Sequence, residues 1–229
     1  MRTVFATIFS IGLLYGICFA GEKPELTNQT DKGSYSLGYQ FGENLKFHGS
    51  EINLDFYVSG ARDALSGQTP RMSREEIRAA IQDLQQRAAL TRHETLKMQA
   101  EKNLYEGKAF LAENGKKKGV KALSSGLQYK VLSEGAGKAP KKDDTVKVHY
   151  RGTLIDGKEF DSSIARGQPA TFKVGGVIPG WTEALQLMKE GAKWQLFIPS
   201  DLAYGEPGMP PRIPPNSALI FELELVSVK

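Results

Sequence analysis

The chain contains one cysteine, Cys18, and three histidines, His48, His93 and His149. Cys18 lies within MRTVFATIFSIGLLYGICFA (residues 1–20), which has one early Arg2, an apolar run from Val4 to Phe19, and Ala20 before Gly21. A short apolar run ending in a small residue is the pattern of a cleaved secretory signal. Two other readings fit the same residues. One is a retained membrane anchor. The other is a lipoprotein acylated on Cys18, for which Tyr15, Gly16 and Ile17 are poor neighbours. Cleavage after Ala20 would remove the sole thiol and with it any disulfide, thiolate nucleophile or zinc–thiolate site. Such a chain suits an oxidising compartment. The three histidines fall on separate segments, with no second His or Cys at ligand spacing, so no metal site is expected. No cofactor is expected either.

Phosphate-loop and hydrolase signatures are also lacking. GAGK at 135–138 has Leu132 where such a loop needs its first glycine, and Ala139 where it needs Ser or Thr. No Gly-x-Ser-x-Gly elbow occurs. The formal net charge is only +4, and the basic clusters Lys116–Lys118 and Lys138–Lys142 have no interleaved aromatics. They read as solvated linker and loop charge, not as a nucleic-acid platform. Asn28-Gln29-Thr30 matches a glycosylation acceptor, and reads more simply as a helix cap.

Proline is scarce in the first half, where only Pro24 and Pro70 occur. Helices are predicted over about 31–47 and 53–65, and the second carries Leu54, Val58, Ala61 and Leu65 at helical spacing. Ser73 and Glu76 then form a capping-box spacing. From there to Asn114 there is no proline and only Gly107, which predicts one helix of about 40 residues and about 60 Å. Its first part has an apolar stripe (Ile77, Ala80, Ile81, Leu84, Ala88, Leu96). Its later part, from Lys97, is charged and reads as a solvated stalk. Apolar faces on the first two helices exceed what so small a unit can bury, so a partner is expected to cover them.

Beyond ENGKKKGV (113–120) the character changes to β-branched alternation with Gly and Pro. Leu127, Tyr129 and Val131 alternate, as do Val146, Val148 and Tyr150. Asp156-Gly157 marks a hairpin turn, and PGWTEALQLMK (179–189) is the one helix. The expected organisation is a signal at 1–20, a helical module at 21–72, a connecting helix at 73–114, a linker at 115–120 and an α+β domain at 121–229. That last domain is a curved antiparallel sheet wrapping one short helix.

Four segments carry the functional signal: VHYRGTLIDGKEFDSS (148–163), VIPGW (177–181), LAYG (202–205) and IPPNSALIFELEL (213–225). They supply Tyr150, Phe160, Asp161, Val177, Ile178, Trp181, Tyr204, Ile213 and Phe221. The set is aromatic and aliphatic with one carboxylate. Lacking a nucleophile and a metal ligand, it suits a reaction that makes and breaks no covalent bond. Order and spacing resemble the FKBP-type peptidyl-prolyl cis/trans isomerases, strongly over the last hundred or so residues. With its N-terminal half, the whole chain resembles the bacterial Mip-like (macrophage infectivity potentiator-like) members.

The resemblance implies a rotamase assisting the folding of exported proteins, in the periplasm or at the outer membrane. It implies proline-containing polypeptide substrates and a homodimer through the N-terminal helices. It also implies FK506- or rapamycin-like macrolides as ligands of the same site. Trp181 would form the floor, and Tyr150, Phe160, Val177, Ile178 and Phe221 the walls. The Ile178 N–H and the Tyr204 hydroxyl would donate to substrate carbonyls. Asp161 would orient the amide, held by Tyr150 or Arg166, with Met209 and Ile213 at the rim. Three departures stand out: Ala170 where eukaryotic members often have Phe, a shorter 172–178 connection, and Arg212 at an aliphatic rim position. A second reading is a chain-binding chaperone or adhesion module with incidental catalysis.

Overall fold

The computed structural model describes residues 25–47 and 52–229, in two units that divide after Phe47. The signal-like segment and His48 lie outside the described residues. The first unit contributes α1 (Gln29–Phe47). Asn28 caps it, its Oδ1 accepting the Asp31 N–H at 2.9 Å, which is the capping role rather than the glycan one. Tyr35, Leu37 and Tyr39 on this helix are exposed.

In the second unit, α2 (Leu54–Leu65) starts where the Asn53 side chain accepts the N–H groups of Asp55 and Phe56. It stops before Gly67, which has φ +66. α3 (Arg74–Asn114) runs for 41 residues. Both halves of its capping box form: Ser73 Oγ accepts the Glu76 N–H at 3.2 Å and Glu76 accepts the Ser73 N–H at 2.8 Å. The hydrogen bonds from the Ser73 backbone and then its side chain hold the Glu76 carboxyl below its ordinary value.

The solvated-stalk expectation holds for only one face of the later α3. Ala100, Gly107 and Asn114 are buried on the other, at a seven-residue spacing that keeps them in line. Asn114 Nδ2 donates to Gln128 Oε1 at 3.0 Å, Gln128 Nε2 donates to the Leu111 carbonyl at 2.8 Å, and Phe110 meets Phe197 with ring centroids 6.1 Å apart. The last turns of α3 therefore dock on the sheet. The chain then turns through Lys116 and Lys117 into the first strand.

The strands are β1 (Val120–Ala122), β2 (Gln128–Ser133), β3 (Thr145–Leu154), β4 (Glu159–Ser162), β5 (Ala170–Lys173), β6 (Lys193–Ile198) and β7 (Leu219–Val228). Every pairing is antiparallel. The order is β1-β2-β6-β7-β3-β4, with β5 also on β3. α4 (Pro179–Leu187) has proline in its first turn and stops two residues earlier than expected. Trp181, Ala184 and Leu185 of α4 share one core with Val148, Leu196 and Leu223 of the sheet. A Cβ on Gly180 would lie 2.6 Å from Ile198 Cγ2. Gly180 thus lets α4 seat on the sheet. The fold is the expected α+β one: an all-α N-terminal region, then an antiparallel sheet with one packed helix. Among the described residues no helix is long and apolar enough to cross a membrane.

Candidate active site

A cavity of about 460 Å³ opens where α4 meets β3, β4 and β7. β3 presents Tyr150, β4 presents Phe160 and Asp161, β7 presents Phe221, and α4 presents Trp181. Alternation along β3 sends Val148, Tyr150 and Gly152 to the same face. Gly152 registers against Phe221 on one side and Asp161 on the other. A Cβ at Gly152 would lie 2.7 Å from both the Phe160 and Phe221 rings. Only glycine lets these two walls close on each other.

Trp181 and Phe160 meet their neighbours edge to face, while Tyr150 is tilted at 55° to Phe172 and 58° to Phe221. Trp181 meets Tyr150 at 5.2 Å and 81°, and Phe221 at 5.1 Å and 76°. Phe160 meets Phe221 at 5.5 Å and 86°. Such pairs add about 0.5–1.5 kcal/mol beyond burial, so each wall stiffens the next. Val177 and Ile178 line the cavity from the approach to α4, and Tyr204 and Met209 from the loop before β7.

Asp161 is the only carboxylate lining the cavity among the described residues. Both of its proposed partners hold it. Tyr150 Oη donates to Oδ2 at 2.5 Å and Arg166 Nη1 to Oδ1 at 2.5 Å. Arg166 Nη2 also donates to Tyr150 Oη at 2.7 Å, and the Ser162 N–H donates to Oδ1 at 2.9 Å. Burial alone would raise the Asp161 carboxyl. The donors Tyr150 and Arg166, with the Arg166 charge, outweigh it and hold the group below the usual carboxylate range. Tyr150 is pushed up, first by burial and then by its bond to Asp161. Tyr204 is raised by burial and then by the negative charge of Asp161. With both oxygens engaged, Asp161 is a fixed dipole partner and not a free base.

Unpaired donors remain in the lining, among them the Trp181 Nε1–H, which is buried without an acceptor among the described residues. The Tyr204 hydroxyl has no hydrogen-bond partner among the described residues. Ile178 accepts the Trp181 and Thr182 N–H groups at 3.0 Å each as the cap of α4, while its own N–H meets no backbone acceptor among the described residues.

Two of the named residues lie outside the lining. Arg166 is not part of the lining; it acts by holding Asp161 and Tyr150. Ile213 is 1% exposed and lies outside the lining, paired with Met209 by hydrogen bonds of 2.8 and 3.0 Å. It anchors the rim loop and leaves Met209 to line the cavity. Phe172, two residues along β5 from Ala170, also lines the cavity, its ring meeting Trp181 at 5.8 Å and 87°. Phe172 was missed, although Ala170, Phe172 and Val174 form a period-two stripe. Gly152 was missed because no local pattern marks a close approach between strands.

The family model described as "FKBP-type peptidyl-prolyl cis-trans isomerase" matches residues 136–226, and "Domain amino terminal to FKBP-type peptidyl-prolyl isomerase" matches residues 30–131. The "Outer membrane protein MIP" of Legionella longbeachae is 43% identical over 229 residues, all of this chain and 98% of that protein. The "FKBP-type 22 kDa peptidyl-prolyl cis-trans isomerase" of Escherichia coli K12 is 46% identical over 86% of this chain and 94% of its own. The chain belongs to the FKBP-type peptidyl-prolyl cis-trans isomerases. The crystal structure of FkpA from Escherichia coli agrees with a TM-score of 0.72 at 41% identity, covering 90% of this chain and 99% of that one. In this FKBP-type isomerase every cavity residue falls inside the matched C-terminal segment.

Proposed function

We propose that the chain rotates X–Pro bonds of exported polypeptides within this cavity, by shape and desolvation and without covalent or acid–base chemistry. The observation that carries the reading is the cavity itself: aromatic walls around one carboxylate whose oxygens are already bonded. Rotation about a peptide bond costs about 18–20 kcal/mol because planarity carries the resonance. X–Pro exchange is correspondingly slow, taking tens to hundreds of seconds. The twisted transition state has less charge separation than the planar amide, which water solvates well. A water-poor aromatic cradle therefore favours the twisted form. Each 1.36 kcal/mol of that difference gives about tenfold in rate. Trp181 supports the proline ring between Tyr150, Phe160, Phe172 and Phe221. The Tyr204 hydroxyl and the Ile178 N–H hold the flanking carbonyls, and Asp161 orients the amide. Macrolides of the FK506 or rapamycin kind would compete for the same cavity.

Residues 21–72 are proposed as a dimerisation module, 73–114 as the connecting helix, 115–120 as the linker and 121–229 as the isomerase domain. Support for a homodimer comes from a groove of about 460 Å³ lined by Phe56, Ala64, Pro70, Met72 and Ile77. Export to the periplasm or the outer membrane face is supported by residues 1–20 and by the name of the Legionella relative. The same groove, left uncovered, would favour the second reading, a chaperone or adhesion module that captures chains. Exchange of a short X–Pro peptide separates the two. Catalysis inhibited by a macrolide supports the isomerase, and an uncatalysed rate leaves only chain binding.

A further inference from the structure

Two amide side chains tie α3 to the loop that delivers Tyr204. Asn103 Nδ2 donates to the Pro215 carbonyl at 2.7 Å, and Asn216 Nδ2 donates to the Ala100 carbonyl at 3.4 Å. The Asn216 backbone N–H donates in turn to the Gly205 carbonyl at 2.9 Å, one residue after Tyr204. The Gly205 N–H closes the far side by donating to the Ser200 carbonyl at 2.8 Å. A bonded path therefore runs from the helix backbone to the residue beside Tyr204.

The contact is built closely. A Cβ on Gly107 would lie 3.1 Å from Ala218 Cβ, so helix and loop approach nearer than larger residues would allow. Asn216 is the only non-glycine residue at positive φ among the described ones, at +52°. Asn tolerates that region better than most residues, yet it persists only where surrounding contacts fix it. Beside the loop the contact face carries the small or polar Ala100, Asn103 and Gly107, so little apolar area is buried at this point. The polar pairs there specify one register. The Tyr204 hydroxyl has no bond of its own to hold it, so its place depends on the backbone of this loop.

We infer that Asn103 and Asn216 are positioning residues for prolyl isomerisation: the end of α3 braces the 200–218 loop and sets where the Tyr204 hydroxyl meets the substrate. The inference rests on the reading of the cavity as the active site. It makes the last turns of α3 part of the catalytic unit.

The test is a double-mutant cycle in the full chain, read as kcat/KM on a short X–Pro peptide with melting followed in parallel. Asn103→Ala and Asn216→Gly each lower kcat/KM about three- to tenfold; the second keeps the positive φ accessible. In a Tyr204→Phe background the same substitutions change it less than about 1.5-fold, because the group they position is gone. If Asn103→Ala fails to fold, Asn216→Gly carries the cycle alone. Equal losses in both backgrounds would mean general loosening and overturn the brace. So would full activity of both variants beside an impaired Tyr204→Phe, which would leave the site reading intact. A fully active Tyr204→Phe would remove the hydroxyl from the site and take the brace with it.

Discussion

The sheet domain buries its large apolar residues, whereas α2 and α3 leave most of theirs exposed. In the sheet domain a single core gathers Leu127, Val148, Trp181, Leu196, Leu223 and their neighbours, all nearly sealed from water. α2 has no buried residue at all, and its Leu65 is 90% exposed. On α3 the buried residues are Ala100, Gly107 and Asn114, the last only 1% exposed, while Ile81 and Leu90 face outward. Apolar character alone therefore does not decide what is covered. The sheet domain completes itself. The helical part carries apolar surface that only another surface can cover, and it spends its polar and small residues on gripping the sheet domain.

The largest expected effect breaks the self-contained side. Trp181 is 4% exposed and touches the rings of Tyr150, Phe172 and Phe221. Trp181→Ala should lower turnover of a short X–Pro peptide at least about 100-fold. It should also cost about 3–5 kcal/mol of stability, seen as a lower melting point. Trp181→Leu retains more of the packing and isolates the loss of the ring. Wild-type turnover in the folded Leu variant would take Trp181 out of the site.

Next comes the incomplete side. If the groove beside Phe56 and Ile77 is covered by a second copy, Phe56→Glu should weaken the dimer by roughly tenfold to 100-fold, from about 1.5–3 kcal/mol of lost burial. Short-peptide turnover should stay unchanged. A full-length chain that scatters light as a monomer at micromolar concentration contradicts the dimer.

The smallest of the three lies within the cradle. Asp161→Leu keeps the cavity apolar but strips Tyr150 and Arg166 of their acceptor. A loss of up to about tenfold, near 1.4 kcal/mol, is expected in kcat/KM. Complete loss in a variant with unchanged fold would give Asp161 a chemical role.

Much of this architecture could be read from the chain. Ser73 and Glu76 announce the start of α3, Asp156-Gly157 the β3–β4 turn, and Pro179 the start of α4, because caps and turns are local chemistry. The cradle residues Tyr150, Phe160, Asp161, Trp181, Tyr204 and Phe221 were legible through the family resemblance that their motifs carry. The unread parts depend on distant neighbours. Asn103 and Asn114 look like solvated helix residues until Pro215 and Gln128 are placed beside them. Gly152 is an ordinary strand glycine until Phe160 and Phe221 arrive. Ile213, placed at the rim by motif order, sinks into the core because its backbone pairs with Met209.

The central claim is that rotation needs no proton transfer, and the pH profile of kcat/KM tests it most directly. The titratable groups lining the cavity are Tyr150, Asp161 and Tyr204. Asp161 is lowered, so its pairing is fully present above the ordinary carboxylate value near 4 and is lost as pH falls through its lower folded value. Both tyrosines are raised above their ordinary value near 10 and stay protonated. Turnover of a short X–Pro peptide should therefore be flat from about pH 6 to 8. A bell with arms inside that window would mean that an acid and a base take part, and would contradict the desolvation account.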